Sequence, residues 1–316
     1  MPTALISGIT GQDGSFLAEQ LLALGYRVVG LHRRLSADNH WRLEGIDGLE
    51  LRCCDLTDLA SLLDVMREVR PDEIYNLASQ SFVPTSWRQP LLTGDVTGIG
   101  AVRMLEAFRR EAPEARFYQA SSSEMFGDVR ERPQSESTPF NPLSPYACSK
   151  VYAHQMAVNY REAYGLHICC GILFNHESER RGEEFLTRKV SKAVARIERG
   201  LQKELVLGDL TPRRDWGFAG DYTVAMRLML QAESASDYVV ASGVDHSVEQ
   251  FVERAFAVVG RRWQDHVRQD ESFMRRNELP ALQGDSSRAR EVLGWRQEVD
   301  FDGLVERMVL ADLERL

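Results

Sequence analysis

The stretch Thr3-Ala4-Leu5-Ile6-Ser7-Gly8-Ile9-Thr10-Gly11-Gln12-Asp13-Gly14 decides the fold. Its apolar opening reads as a buried strand. The helical spacing of Phe16, Leu17, Leu21 and Leu24 follows, with Gly25 as its stop. Strand, glycine turn and helix in that order form the context in which a dinucleotide pyrophosphate is held. Glycines let the backbone approach the phosphates, and the helix N-terminus offers amides and positive potential. The spacing is Gly-x-x-Gly-x-x-Gly rather than Gly-x-Gly-x-x-Gly. A plain turn with incidental glycines is the competing reading, and the flanking strand and amphipathic helix outweigh it.

Further units repeat the pattern. A second strand, Arg27 to Leu31, ends at His32-Arg33-Arg34, where an NAD site usually places an acid for the ribose hydroxyls. Two guanidiniums suit a 2′-phosphate instead, so Arg33 and Arg34 point to NADP; a solvated arginine pair is the weaker reading. A third strand, Leu49 to Cys53, leads to Cys54-Asp55-Leu56 and a helix capped by Thr57 or Asp58. Asp55 either accepts from an adenine amine or caps that helix. A fourth strand, Glu73 to Leu77, runs into Ala78-Ser79-Gln80-Ser81, small residues that let a cofactor lie across the strand ends. A helix from Thr97 to Arg110, a strand from Arg116 to Ala120 and a sixth strand from Ile168 to Leu173 continue the alternation. A helix from Ala219 to Gln231, a strand from Tyr238 to Ala241 and helices from Ser247 and about Phe301 complete the chain. This alternation predicts an α/β, Rossmann-type doubly wound parallel sheet with ligands beyond the strand C-termini.

The chemistry gathers after the fifth strand. Ser122, Ser123 and Glu124 follow its end, and Ser144-Pro145-Tyr146-Ala147-Cys148-Ser149-Lys150 opens the next helix. Tyr146 and Lys150, four apart, project from one helix face. An ammonium beside a phenol is expected to bring the phenol down towards working pH. Tyr146 would then accept a proton from an alcohol that Ser122 holds. Tyr-x-x-x-Lys alone is a weak signal; its place in a nucleotide-binding chain gives it weight. Beyond the sixth strand, Arg180, Arg181, Arg188 and Lys189 form a basic cluster, and Arg213-Arg214-Asp215-Trp216 adds cations and an aromatic plane. A solvated helix face is the usual account of such a run, but its place beside a nucleotide site favours phosphate binding.

Composition narrows the class. The 316 residues are 43% hydrophobic and 27% charged with a net charge of -9, which argues against nucleic-acid or polybasic membrane binding. The apolar run Ala4-Leu5-Ile6 is broken at once by Ser7-Gly8, so neither a signal peptide nor a membrane span is expected. Five cysteines without a Cys-x-x-Cys motif suit reduced thiols in the cytoplasm. No metal site is expected, since His176-Glu177 lacks a second histidine at zinc-helix spacing.

With these residues in view, the chain resembles the GDP-mannose 4,6-dehydratase family of extended short-chain dehydrogenases/reductases nearly end to end. The similarity rests on the glycine turn, Tyr75-Asn76-Leu77-Ala78, Phe117-Tyr118-Gln119-Ala120-Ser121 and the Tyr146/Lys150 pair. Its most specific parts are Gly171-Ile172-Leu173-Phe174-Asn175-His176-Glu177-Ser178, Thr187-Arg188-Lys189 and Arg214-Asp215-Trp216-Gly217.

The resemblance implies NADP held by Gly8, Gly11, Gln12, Asp13, Gly14, Arg33, Arg34, Ser36, Asp55, Leu56, Leu77, Ala78, Ser79, Gln80, Ser81, Tyr146, Lys150, His176 and Arg181. It implies a GDP-sugar held by Ser81, Ser122, Ser123, Glu124, Asn175, Lys189, Arg214, Arg275 and Glu278. Residues 1–174, with 213–243 returning to them, would form the cofactor domain, and 175–212 with 244–316 a smaller substrate lobe. A homodimer or homotetramer in the cytoplasm is implied as well. The implied catalytic set is Ser122, Glu124, Tyr146 and Lys150. Tyr146 takes the 4-hydroxyl proton as C4 is oxidised, and Glu124 removes the C5 proton and protonates the departing C6 hydroxyl. A reductase or epimerase of this fold needs no carboxylate at position 124; a dehydratase does.

Three departures from the family pattern stand out. Ser122 replaces a threonine, keeping the hydroxyl. Arg275-Arg276 stands where Arg-Pro is usual, and a family tyrosine of the cofactor site falls near Leu92. The rivals are a dehydratase of another sugar nucleotide such as a GDP-heptose, a net reductase or 4-epimerase, and a binding-only protein of the same fold.

Overall fold

The computed structural model describes residues 1–34, 40–129, 131–273 and 281–316. The strands are β1 (Thr3–Ser7), β2 (Arg27–His32), β3 (Glu50–Cys53), β4 (Glu73–Asn76), β5 (Arg116–Ser122) and β6 (Ile168–Leu173). They continue with β7 (Asn175–Glu177), β8 (Leu205–Leu207), β9 (Arg213–Phe218), β10 (Asp237–Val240), β11 (Asp245–Ser247) and β12 (Val267–Gln269). The helices are α1 (Gln12–Ala23), α2 (Leu59–Val69), α3 (Val83–Arg88), α4 (Pro90–Thr93), α5 (Gly100–Glu111), α6 (Pro145–Tyr164), α7 (Leu186–Glu198), α8 (Ala219–Gln231), α9 (Val248–Val258), α10 (Ser287–Val292) and α11 (Phe301–Glu314).

Among the described residues, seven parallel strands form one sheet in the order β10-β6-β5-β4-β1-β2-β3. The order reverses beside β1, which opens a crevice between the C-terminal ends of β1 and β4. The central strands are largely apolar and buried because both faces of the sheet are covered. On one face Leu17 and Leu21 of α1 and Met226 and Met229 of α8 pack over Ala4 and Ile6. On the other, Leu62 and Met66 of α2 join Met104, Leu105 and Phe108 of α5 over Leu5 and Ile74. A separate core joins α7, α9 and α11 through Val190, Val194, Phe251, Phe256, Leu304 and Met308. The predicted doubly wound sheet is the one observed, with strand ends within about two residues of expectation.

Two segments differ from expectation. The helix expected from Thr97 is part of a longer helical run that begins at Pro90 and passes through a π-helical turn, Gly94–Ile99, before α5. Gly94 and Gly98 hide this run from a propensity reading. The polar segment after β6 is strand β7, paired in parallel with β9, which in turn pairs antiparallel with β11. These strands lie above the C-terminal ends of the large sheet and bring Asn175 and Arg214 there. No described helix is long and apolar enough to cross a membrane.

Candidate active site

A cavity of about 1580 Å³ opens along the C-terminal ends of β1, β4 and β5. Its floor is a buried polar ladder. The Ser7 hydroxyl donates to Asn76 Oδ1 (2.7 Å) and accepts from the Leu77 and Ala78 amides (3.1 and 3.2 Å), while Asn76 Nδ2 donates to Gln119 Oε1 (2.9 Å). Three neighbouring strand ends are thereby tied in register, and the loop from Leu77 is held down beside the glycine turn.

The turn itself is shaped for close approach. Gly8 has φ +73°, and a Cβ there would lie 2.9 Å from Ala78 Cα; one at Gly14 would lie 2.6 Å from the Gly8 carbonyl oxygen. Backbone fills those positions, so only glycine lets α1 start this close to the strand. The result is a cradle at a helix N-terminus, which fits a dinucleotide's pyrophosphate.

Asp13 and His176 meet behind this cradle. His176 Nε2 lies 2.9 Å from Asp13 Oδ2, and its Nδ1 lies 2.7 Å from the Phe174 carbonyl oxygen. Burial works against charge on both groups. The pair nevertheless prevails: Asp13 is held below its ordinary value by the His176 charge and hydrogen bond, and His176 is raised above its own. Gln12 reaches the same segment, donating to the His176 carbonyl oxygen (3.1 Å) and accepting from the Ser178 hydroxyl (2.7 Å).

Every described site residue expected from the sequence lines this cavity, except Arg34, which is exposed and not among its lining residues. Gly11, Arg33, Asp55, Leu56, Ser79, Gln80, Ser81, Ser123 and Arg181 are among its lining residues. Asn175 on β7, Arg214 on β9 and Lys189 on α7 converge at the far end. Burial lowers the Lys189 ammonium, which donates to the Val206 carbonyl oxygen (2.8 Å). Ser36, Arg275, Arg276 and Glu278 lie outside the described residues. Asp55 is settled in one respect. Asp58 caps α2 by accepting from the Ala60 amide, and Asp55 accepts from Thr57, so Asp55 is not the helix cap.

The catalytic candidates sit where β5 meets α6. Ser144 caps α6 by accepting from the Ala147 amide, with Pro145 in the first turn. This cap sets the start of α6 so that Tyr146 and Lys150 face β5. Lys150 Nζ donates to the Ala120 carbonyl oxygen (2.7 Å) and lies 5.8 Å from the Tyr146 ring centroid. The Ser122 hydroxyl accepts from the Glu124 amide (3.3 Å), which starts the single 3-10 turn that presents Glu124.

The expected lowering of Tyr146 is corrected here. Burial pushes its phenol up to about 12, against a hydrogen bond with Ser122 that lowers it, while the Glu124 carboxylate raises it further. Lys150 is itself lowered to about 8 by burial. In a water-poor site, desolvation disfavours the charged form of each group and outweighs the Ser122 bond to Tyr146 and the attraction of Asp13 for Lys150.

Sequence reasoning missed several lining residues. Phe82 and Phe185 meet edge to face at 5.3 Å across the cavity, and Arg181 stacks 3.6 Å from the Phe185 ring while pairing with Glu177. The Arg181-x-x-x-Phe185 spacing was the only local signal for that stack. Leu92 lines the cofactor side, so an aliphatic side chain stands on that wall. Asp215, read only as part of a charged string, is wholly buried and accepts from Ser242, Gly243 and Gly284, which fixes the loops beside Arg214. Among the described residues no cluster of metal-ligating side chains is present.

Comparisons with known proteins agree with this geometry. The family model for GDP-mannose 4,6 dehydratase matches residues 5–308. GDP-mannose 4,6 dehydratase 2 of Arabidopsis thaliana is 52% identical over 324 residues, covering 98% of this chain and 87% of its own. The GDP-mannose 4,6 dehydratase of Homo sapiens is 46% identical over 339 residues, covering 98% and 91%. The solved structure of RMD from Pseudomonas aeruginosa complexed with NADPH superposes with a TM-score of 0.85, 24% identity and 100% coverage of both chains, a likeness of fold.

Proposed function

The chain belongs to the GDP-mannose 4,6-dehydratase family, and on that premise we propose how its residues carry out the reaction. The enzyme is an NADP-dependent lyase that converts GDP-D-mannose to GDP-4-keto-6-deoxy-D-mannose, a step of deoxysugar nucleotide metabolism. The observation that carries the reading is a carboxylate, Glu124, presented beside Ser122 and Tyr146 at the end of β5.

The cradle at Gly8 and Gly14 receives the pyrophosphate of the cofactor, and Arg33, exposed on the cavity rim, reads its 2′-phosphate. Arg34 is exposed outside the cavity lining and contributes little. Lys189, Arg214 and Asn175 take the GDP moiety. NADP+ held by this cradle and Arg33 would supply the hydride acceptor and donor for C4 oxidation and C6 reduction, and its cationic ring would add positive charge to the site.

Ser122 holds the sugar 4-hydroxyl and Tyr146 takes its proton. A phenol pushed up to about 12 stays protonated at neutral pH, and the positive charge a bound nicotinamide ring would bring favours its phenolate and lowers it towards the range in which it accepts a proton. The resulting C4 ketone acidifies the C5 hydrogen. Glu124 removes that proton and delivers one to the departing C6 oxygen, which leaves as water. As C6 gains hydride, C5 regains a proton, supplied by the one Tyr146 took from the 4-hydroxyl; protons and electrons then balance within the sugar, with C4 oxidised, C6 reduced and no net cofactor consumed.

Residues 1–174 with 213–243 serve the cofactor, and 175–212 with 244–316 serve the sugar nucleotide. The same reading takes the enzyme as a cytoplasmic homodimer or homotetramer acting on a small molecule, without nucleic-acid or membrane partners. Glu124→Gln tests the assignment. It should still reduce NADP+ with GDP-mannose while releasing no dehydrated sugar; deoxysugar formation at the wild-type rate would remove Glu124 from the mechanism.

A further inference from the structure

Tyr146 and Lys150 are followed on the same face of α6 by His154, one further turn along. Each of the three meets a consecutive residue of β5. His154 Nδ1 lies 2.9 Å from the Ser121 hydroxyl, Lys150 donates to the Ala120 carbonyl oxygen, and Tyr146 bonds to Ser122. His154 and Ser121 are each 4% exposed, and Ser121 lines the cavity wall. Behind His154, its Nε2 faces Asp237 Oδ2 at 3.8 Å on the edge strand β10, and the Phe140 ring packs against it at 5.1 Å.

From this geometry we propose that His154 is a positioning residue, the third rung that fixes the end of β5 and thereby aims Ser122 and Glu124. Charge decides the state of the ring. Arg161 occupies Asp237 with two hydrogen bonds of 2.8 and 3.3 Å, so the carboxylate has little net field left to protonate the ring. Burial lowers the His154 pKa, Asp237 opposes this and Arg161 reinforces it, leaving a neutral imidazole. Asp237 favours the tautomer with its proton on Nε2, so Nδ1 accepts from the Ser121 hydroxyl. A neutral acceptor costs far less to bury than an imidazolium, and it is all that Ser121 requires.

The rung matters because Ser121 and Ser122 are adjacent. A rotation of the Ser121 backbone would turn the Ser122 hydroxyl away from Tyr146 and release the amide bond that presents Glu124. Displacements of that size cost reactivity more than affinity.

The test rests on the dehydratase reading for its assay, with wild-type turnover as the control. Absence of wild-type turnover condemns that reading, whereas the inference is judged on the variants. Ser121→Ala and His154→Leu should each lower kcat about tenfold with KM for the sugar nucleotide changed by less than about threefold. The double variant should be no slower than either single, because both remove one interaction. His154→Asn, whose amide oxygen stands near the place of Nδ1, should recover most of the rate. Additive losses, or equal losses in His154→Asn and His154→Leu, would reduce His154 to packing. If His154→Leu does not fold, the small Ser121→Ala change decides alone: a wild-type kcat there overturns the proposal.

Discussion

The two ring nitrogens of His176 face oxygens, Asp13 Oδ2 at 2.9 Å and the Phe174 carbonyl at 2.7 Å, an arrangement that favours the protonated ring, which stacks on Tyr222 at 4.9 Å. The ion pair joins the first turn of α1 to β7. The turn that cradles the cofactor is thus tied to the strand that carries Asn175.

This pair has a defined pH signature. His176 is raised, so its contribution to stability is complete below the ordinary histidine value of 6.5 and fades as pH climbs through the raised value. Asp13 is lowered, so its contribution is complete above 3.8 and is lost as pH falls through the depressed value. Asp13→Asn should therefore cost most thermal stability near pH 5–6 and progressively less above neutrality. Melting curves at both ends of that range check it; a pH-independent difference would mean that His176 is neutral.

Lys150 makes the opposite bargain. Its pKa falls from 10.5 to about 8, so between these values the unfolded chain holds a proton the folded one has released, and wild-type stability rises with pH through that window. Lys150→Met should abolish turnover yet stabilise the protein at pH 7 by on the order of 2 kcal/mol, the lost bond to Ala120 offsetting part of the gain. That advantage should disappear near pH 10.5. Urea titrations at pH 7 and 10 measure both limbs, and a destabilised variant at pH 7 would refute the sign.

Arg33 lines the cavity and Arg34 does not. Arg33→Ala should raise KM for NADP by about 10–100-fold and leave NAD within about threefold. Arg34→Ala should change neither by much. Equal losses for both cofactors in Arg33→Ala would mean that Arg33 does not read the 2′-phosphate.

Asp215 is fully buried and is raised by burial despite its four hydrogen bonds with Ser242, Gly243 and Gly284. Asp215→Ala leaves those donors unpaired and should cost about 3–5 kcal/mol. Chemical denaturation checks this, and a loss below 1 kcal/mol would show that water replaces the carboxylate at little cost.

The large sheet was legible because parallel, doubly covered strands write themselves as apolar runs, and Gly8, Gly14, Ser144 and Pro145 mark their turns and caps. Strands β7 and β9 were not. Asn-His-Glu and the charged start of Arg-Arg-Asp-Trp-Gly-Phe lack strand alternation, and they become strands by pairing with each other some forty residues apart and, for β9, with β11 as well. The grouping of Tyr146, Lys150 and Glu124 in one cavity was readable, since they have informative types and spacings. The direction of the Tyr146 shift was not readable. It depends on how completely tertiary packing excludes water, which spacing does not encode. His154 shows both sides: its place on the face of Tyr146 and Lys150 follows from spacing, but Ser121 and Asp237 join it only in the folded chain.

The central claim is tested most directly with GDP-mannose carrying deuterium at C4, incubated with the purified protein and a catalytic amount of NADP+. The account predicts loss of one water per sugar, no net change in nicotinamide absorbance, and the deuterium recovered at C6. Stoichiometric NADPH formation, deuterium returned to C4, or an unchanged sugar from a protein that binds NADP would contradict it.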